Sequence, residues 1–277
     1  MGIAAMPYFV TSSGVNIHYE VTGSGQPLVL VHGWAMSGRV WLLQQGLAES
    51  CRLVMPDLRG HGRTAAPDSG YTFADFAHDL DELFTCLDLE NAIIIAWSMG
   101  VMTALQAFPL IRERLAALVF VSGTPKFTAS DDYPYGLPSV ETRALALRLK
   151  KDYEMAVRDF ISGMFTGGEL LQGCYDRMFS EQIYGEFPGR HAAQESLKSL
   201  AHADLRPVLP SIQLPVLLIH GSNDVICPPE ASEYMAAHLP LARLEIVKEA
   251  GHAPFLSRPT EFTILLRKFI NEIHAHD

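Results

Sequence analysis

The chain has 277 residues, of which 48% are hydrophobic and 19% charged, and its formal net charge is −10. This composition supplies a large apolar core and excludes a disordered chain. The acidic balance and the absence of a Lys/Arg-rich run argue against nucleic-acid binding, because phosphate neutralisation needs a basic surface. The apolar runs are far shorter than the ~20 residues that cross a bilayer, so we expect no membrane segment.

The N-terminal residues and the cysteines favour a cytoplasmic location. Residues 1–6 carry no basic segment of the kind that opens a secretory signal. The spacings between Cys51, Cys86, Cys174 and Cys227 fit neither a CxxC metal pattern nor a dense disulfide framework. We therefore predict a cytoplasmic protein with four reduced thiols.

Buried runs and amphipathic stretches alternate along most of the chain. The pattern predicts strands over residues 15–21, 27–31, 52–55, 92–96, 116–121, 216–220 and 243–247. It predicts helices over residues 73–87, 99–108, 228–238 and 259–274. This alternation is typical of an α/β protein with a mainly parallel central sheet and helices on both faces. The carboxyl ends of parallel strands then share one edge, where ligands bind.

One segment interrupts the alternation. Between residues 126 and 206 no buried-strand run occurs, and helical patterns cover residues 140–151, 153–164, 170–179 and 191–201. A helical insertion between two strands of a parallel sheet is typical of a cap or lid, and extra helices packed on the sheet are the alternative. We predict a core of residues 1–125 and 207–277 and a helical cap of residues 126–206.

The strongest chemical signal is the segment Ala96-Trp97-Ser98-Met99-Gly100, which follows a predicted strand and opens a helix. A tight strand-to-helix turn exposes the side chain of its middle residue and needs small residues two positions before and after it. Ala96 and Gly100 meet this need, although glycine is usual at the first position. We predict that Ser98 is a nucleophile. The alternative is a serine that only caps the helix.

A serine hydroxyl needs a general base, and the base needs an acid that orients it. In enzymes built on such a turn the base comes last in the chain. His252 lies between the last predicted strand and the final helix, and Asp224 follows the strand of residues 216–220. We predict His252 as the base and Asp224 as the acid. Asp204, where the cap rejoins the core, is the runner-up for the acid, and an ordinary loop histidine and turn aspartate are the structural alternatives.

Acyl transfer also needs donors for the oxyanion. We predict the backbone N–H groups of Met99, at the helix start, and of Trp34, where Gly33 gives the loop unusual backbone freedom. The side chains predicted to contact the substrate are Trp34, Trp97, Phe160 and Met164, and core or cap packing is the alternative for each. The Gly-rich loop at residues 57–63 has no phosphate-binding spacing and is interpreted as structural. No metal-ligand spacing occurs, so we expect neither a metal nor a cofactor.

Five motifs, in this order, resemble those of the α/β-hydrolase superfamily. They are HGW at residues 32–34, DLRGHGRT at 57–64, AWSMG at 96–100, HGSND at 220–224 and GHAPF at 251–255. Trp34, Trp97, the segment at 122–132 and the extended motif at 252–257 further resemble the pimeloyl-acyl-carrier-protein methyl ester esterases of biotin synthesis. Ala96 in place of glycine, and Val101 where a second glycine is common, depart from the pattern.

The resemblance implies a serine esterase that removes a methyl ester from a carrier-linked dicarboxylic chain. It implies a triad of Ser98, Asp224 and His252. It also implies docking of an acidic acyl carrier protein on basic residues of the cap. The basic side chains in this part of the cap are Arg143, Arg148, Lys150, Lys151 and Arg158. A solvated helix face is the alternative explanation for them.

Other functions stay open, because a fold alone does not define a substrate. Within enzymes, they are a general short-chain carboxylesterase, a lactonase and a carbon–carbon bond hydrolase with the same triad. A ligand receptor on a hydrolase fold is the alternative from another class.

Overall fold

The computed structural model describes residues 7–170 and 187–275. In this part of the chain eight strands form one sheet. The strands are β1 (Tyr8–Val10), β2 (Asn16–Thr22), β3 (Gln26–Val31), β4 (Cys51–Pro56), β5 (Ala92–Trp97), β6 (Leu115–Val121), β7 (Val216–Gly221) and β8 (Ala242–Val247). Their spatial order is β1-β2-β4-β3-β5-β6-β7-β8. The pairs β1–β2 and β2–β4 are antiparallel, and all other neighbouring strands are parallel. The predicted mainly parallel α/β sheet is confirmed.

The central strands owe their place to continuous apolar sequence. The β5 sequence AIIIAW is buried at all positions, and so is VLLIHG of β7. Side chains of a strand alternate between the two faces, so such runs need cover on both sides. All seven predicted strands are present, with ends shifted by at most one residue. Strand β1 was not predicted, because it is only three residues long and lies at the sheet edge.

Eight α-helices lie in the described ranges. They are α1 (Phe73–Cys86), α2 (Met99–Ile111), α3 (Ser139–Lys151), α4 (Tyr153–Ser162), α5 (Arg190–His202), α6 (Pro229–His238), α7 (Pro254–Ser257) and α8 (Pro259–His274). A capping box fixes the start of α1, where Thr72 and Asp75 exchange hydrogen bonds. The sequence patterns did not predict α7 or the 3-10 helix Gly38–Glu49. None of the helices in residues 7–170 and 187–275 is long and apolar enough to cross a membrane.

The segment predicted as a cap contains α3, α4 and α5. Its fourth predicted helix, at residues 170–179, lies almost wholly outside the described residues. The two ends of the segment lie side by side, because Lys126 forms an isolated bridge with Asp204 and the Leu205 N–H donates to the Pro125 carbonyl at 2.8 Å. Arg206 also pairs with Asp204 at 2.5 Å. The division into a core and a cap stays a prediction.

Two glycines allow α2 to pack closely on its neighbours. A Cβ at Gly100 would lie 2.6 Å from the Val31 carbonyl oxygen of β3. A Cβ at Gly123, just after β6, would lie 2.4 Å from Val101 Cγ2 on α2. Glycine at 123 thus makes room for the valine at 101, where the resembling family often has glycine. We therefore expect the valine at 101 and the glycine at 123 to depend on each other.

The close contact between positions 101 and 123 predicts that substitutions at these two positions affect stability in a non-additive way. Gly123→Ala should destabilise the fold by about 1–3 kcal/mol, because the added methyl group overpacks the site. In Val101→Gly/Gly123→Ala the same methyl meets neither the Cβ of residue 101, which lies 2.7 Å away in the wild type, nor its Cγ atoms, so its cost should largely disappear. Urea unfolding of the wild type, both single variants and the double variant measures the interaction energy, expected at about 1 kcal/mol or more. Additive losses would contradict the expected dependence.

Candidate active site

The predicted nucleophile occupies a strained turn. Ser98, between β5 and α2, has φ 55° and ψ −117°. A non-glycine residue in this region costs on the order of 1–3 kcal/mol and persists only where its surroundings hold it. The Ser98 N–H donates to the Val121 carbonyl at 3.0 Å, and the Ser98 carbonyl accepts from the Val101 N–H at 2.9 Å. Ser98 is half-buried, whereas Trp97 and Met99 on either side of it are buried. The turn therefore presents the serine at the carboxyl edge of the sheet.

The three predicted triad residues meet at this edge. His252 Nε2 lies 2.9 Å from Ser98 Oγ, and His252 Nδ1 lies 2.7 Å from Asp224 Oδ2. Each residue follows the end of a different strand, since Asp224 comes after β7 and His252 after β8. The distances allow His252 to accept the serine proton while its other ring nitrogen donates to the carboxylate.

Asp224 is surrounded by hydrogen-bond donors. Its Oδ1 accepts from the N–H groups of Ile226 at 2.9 Å and Cys227 at 3.0 Å, and its Oδ2 also lies 3.1 Å from His220 Nε2. Burial alone would raise the pKa of Asp224, but the charge of His252 and the hydrogen bonds from His220 and His252 outweigh it and hold the pKa well below its usual range. The carboxylate is therefore charged at neutral pH.

His220 lies in the HGSND motif and contacts Asp224, a role that was not predicted from the sequence. Its ring is fully buried, with Nδ1 2.7 Å from Ser232 Oγ and Nε2 2.8 Å from the Cys227 carbonyl oxygen. These partners turn the Nε2–H toward the Cys227 carbonyl and the Asp224 carboxylate. The available signal was a histidine at the end of a buried strand, four residues before the predicted acid.

Trp97 supports the histidine loop. Its indole Nε1–H donates to the His252 carbonyl at 2.8 Å, and its ring lies 5.0 Å from that of Phe255. The side chain is fully buried. It therefore ties the end of β5 to the loop after β8. The expectation that Trp97 also contacts the substrate stays a prediction.

The loop after β3 lies against the nucleophile. A Cβ at Gly33 would lie 3.1 Å from Ser98 Cβ, so the backbone beside Trp34 passes close to the serine. His32 holds this loop, because its Nδ1–H donates to the Gly33 carbonyl at 2.7 Å and its Nε2 accepts from the Leu58 N–H at 2.9 Å. Burial lowers the pKa of His32, although the charge of Asp57 acts in the opposite direction. The lowered pKa keeps the ring neutral. Met99, the other predicted oxyanion donor, is the first residue of α2, where an N–H has no partner within the helix.

Trp34 connects this loop to the cap segment. Its indole Nε1–H donates to the Ala193 carbonyl at 3.0 Å and lies 3.1 Å from Ser196 Oγ, both on α5. Its ring meets Phe160 of α4 edge to face at 4.8 Å. Met164 is buried, and its carbonyl oxygen accepts from the His252 N–H at 2.7 Å. The structure thus brings Trp34 and Phe160 together and places Met164 against the histidine loop, while their contact with a substrate stays a prediction.

The other predicted residues lie on the surface. Arg143, Arg148 and Lys151 are exposed on α3, and Arg158 is exposed on α4. Asp204 pairs with Arg206 and Lys126 at the base of the cap segment and not with His252. Among residues 7–170 and 187–275, no group of three or more His, Cys, Asp or Glu side chains is arranged to hold a metal ion.

A mainly parallel sheet with a strained serine, a histidine and a buried aspartate at its carboxyl edge has the arrangement of a serine hydrolase. The family model of the α/β hydrolase fold matches residues 26–259. The chain therefore belongs to the α/β-hydrolase family, as its motifs indicated.

Similar proteins share most of the chain. A pimeloyl-acyl-carrier-protein methyl ester esterase of Nitrosomonas europaea is 35% identical over 248 residues, 89% of this chain and 96% of that protein. One of the same name from Nitrosospira multiformis is 30% identical over 258 residues, 92% of this chain and 98% of that protein. Among solved structures, an esterase of Exiguobacterium antarcticum superposes with a TM-score of 0.89 at 30% identity, covering 95% of this chain and 98% of that one. These relatives confirm the resemblance drawn from the motifs.

The contacts of Asp224 predict that replacing its carboxylate by an amide strongly lowers the rate of hydrolysis. Asp224→Asn should lower kcat by about 10⁴, because the amide no longer orients or stabilises a protonated His252. Asp204→Asn is the matched control and should leave kcat unchanged. Hydrolysis of a short-chain p-nitrophenyl ester, with folding checked by circular dichroism, measures both. A large loss in Asp204→Asn with little in Asp224→Asn would reverse the assignment of the acid.

Proposed function

We propose that the protein is a serine carboxylesterase that removes the methyl group from the methyl ester of a carrier-linked pimeloyl chain. The observation that carries the proposal is the hydrogen-bonded series from Ser98 through His252 to Asp224. The names of the relatives, both pimeloyl-acyl-carrier-protein methyl ester esterases, supply the substrate.

The mechanism follows from the positions of these groups. His252 accepts the proton of Ser98 as the oxygen attacks the ester carbonyl, and the charge of Asp224 stabilises the protonated ring. The N–H groups of Trp34 and Met99 bind the oxyanion, a contribution typically worth ~10²–10³ in turnover for each donor. The proton on His252 then passes to the departing methanol. Water, deprotonated by His252, attacks the acyl-enzyme and releases the free carboxylic acid and Ser98.

The acyl chain needs an apolar path to the serine. Trp34 and Phe160 make an edge-to-face contact where the loop after β3 meets α4, and Met164 lies next to the histidine loop. These side chains have the apolar character that a pimeloyl chain requires, with Trp34 and Met164 buried and Phe160 half-buried. We assign them to the acyl-binding wall.

The exterior of the cap segment suits an acidic partner. The basic side chains Arg143, Arg148, Lys150 and Lys151 are exposed along α3. Between α3 and α5, Arg143, Lys150 and Lys198 surround a groove whose apolar lining includes Ala146 and Leu197. An acyl carrier protein is acidic, so this combination of basic rim and apolar floor matches its surface. We propose this face as the carrier-docking surface.

The cysteines indicate the cell compartment in which the enzyme acts. Cys51, Cys86 and Cys227 are free thiols, of which Cys51 and Cys227 are buried. A reducing cytoplasm accords with unpaired cysteines. We propose that the enzyme acts there.

The substrate test compares methyl pimeloyl ester free and linked to the carrier, with wild type and Ser98→Ala. Ser98-dependent turnover with at least ten-fold higher kcat/KM for the linked ester is expected. Equal or faster turnover of small free esters would leave a general carboxylesterase. No turnover of any ester by the folded protein would contradict the proposal and favour a lactonase, a carbon–carbon bond hydrolase or a ligand receptor, which a lactone, a diketone and a binding assay would distinguish.

Charge reversal tests the docking surface separately. Arg143→Glu/Lys151→Glu should lower kcat/KM for the carrier-linked ester by about ten-fold, because steering by opposite charge is lost. Turnover of the free ester should not change. Arg112→Glu reverses an exposed charge on the core and is the matched control. Added salt should reduce the difference between wild type and the double variant, and equal loss with both substrates would contradict a docking role.

A further inference from the structure

A buried glutamate of the cap segment contacts the histidine loop. Glu169 is 7% exposed. Its Oε1 accepts from the Gly251 N–H at 2.8 Å, and its Oε2 accepts from the Thr166 N–H at 2.7 Å. One carboxylate therefore joins a turn of the cap segment to the residue immediately before His252.

The backbone of His252 is held from two sides. Its N–H donates to the Met164 carbonyl at 2.7 Å, and its carbonyl accepts from Trp97 Nε1 at 2.8 Å. The successive N–H groups of Gly251 and His252 both point to the segment of residues 164–169. The catalytic loop thus takes part of its position from the cap segment and part from β5.

The approach of the two segments is too close for another side chain at 251. A Cβ on Gly251 would lie 2.4 Å from the Met164 carbonyl oxygen and 2.8 Å from Glu169 Oε2. Arg258 adds a further link, since its guanidinium donates to the backbone carbonyls of Glu169 at 3.2 Å and Glu249 at 3.3 Å. The contact is a packed junction, and Glu169 is its buried carboxylate.

We propose that Glu169 is a positioning residue for His252 in the hydrolysis proposed above. It acts through Gly251: the hydrogen bond to a charged acceptor fixes the backbone next to the histidine, and thereby the distance from the imidazole to Ser98. A carboxylate is required because its partners are all donors, namely the N–H groups of Gly251 and Thr166 and, at 3.3 Å, the Thr166 hydroxyl. A glutamine offers one acceptor oxygen and would turn its own amide hydrogens toward the other donor.

A shift of the imidazole affects chemistry more than binding. Misplacement of a catalytic group by about 1 Å costs as much as 10²-fold in rate. Glu169→Gln, which disturbs the three hydrogen bonds that the carboxylate accepts, should lower kcat for a short-chain p-nitrophenyl ester by about ten-fold with KM unchanged. Glu169→Ala should lower it by up to about 100-fold. Glu154→Gln, at an exposed position of α4, is the matched control and should behave as wild type.

Two readouts separate positioning from loss of fold and from failure of the proposed substrate. The rate of Ser98 phosphonylation by a fluorophosphonate, expressed per folded molecule, should fall in Glu169→Gln by the same factor as kcat. In proton NMR, the low-field resonance of the His252 Nδ1–H that bonds Asp224 should shift or broaden in Glu169→Gln but not in Glu154→Gln. Neither readout depends on which ester is the natural substrate.

Equal phosphonylation rates and an unchanged Nδ1–H resonance in Glu169→Gln and Glu154→Gln would overturn the inference. A lower Tm with normal kcat per active site would also overturn it, because Glu169 would then stabilise only the fold. Wild-type failure on the carrier-linked ester, with the Glu169→Gln effects present, would contradict the proposed substrate and leave the positioning role supported.

Discussion

A charged carboxylate without solvent contact sets the main constraint on this structure. The side chain of Asp224 has no exposed surface, and an ion in that setting is stable only if hydrogen-bond donors replace the water it has lost. Two come from the backbone turn at Ile226 and Cys227, and two from the rings of His220 and His252. The turn after β7, the buried ring of His220 and the loop after β8 must therefore all be formed before the acid can orient the base.

The order of the strands in the sheet brings these loops together. Because β5, β6, β7 and β8 are parallel neighbours, their carboxyl ends lie in a row, and the segments that follow β5, β7 and β8 meet directly. Small residues then decide how near the segments come. Gly33, Gly100 and Gly251 each stand where a methyl group would lie within about 3 Å of a neighbouring atom. The geometry of the site therefore depends on these glycines as well as on the reactive side chains.

Much of this could be predicted from the sequence, for identifiable reasons. Strands β3 to β7 are largely continuous apolar runs that alternate with amphipathic stretches. Such a sequence pattern is typical of buried strands in an α/β sheet. Ser98 and His252 lie in short local patterns whose geometry is largely independent of distant residues. The strand β1 and the 3-10 helix Gly38–Glu49 carry no such pattern, since one is three residues long and the other lacks a clear apolar period.

The contacts that hold the site together could not be predicted from the sequence, because they join residues that are far apart in the chain. Glu169 is separated from Gly251 by 82 positions, and Trp97 from His252 by 155. Nothing in the local sequence of either residue marks such a partner, because the pairing depends on how the cap segment and the final loop fold over the sheet. Val101 and Gly123 show the same limit, since each is explained only by the other.

The base of the cap segment has an evolutionary consequence. Between the end of β6 at Val121 and the start of β7 at Val216, Lys126 and Asp204 lie at the two ends of the cap segment and are bridged. A segment whose ends are neighbours can change in length or be exchanged without displacing the strands on either side, since the gap to be closed stays the same. Substrate range in such a scaffold can diversify by replacement of the insertion, while the junction with the histidine loop limits which replacements keep the enzyme active.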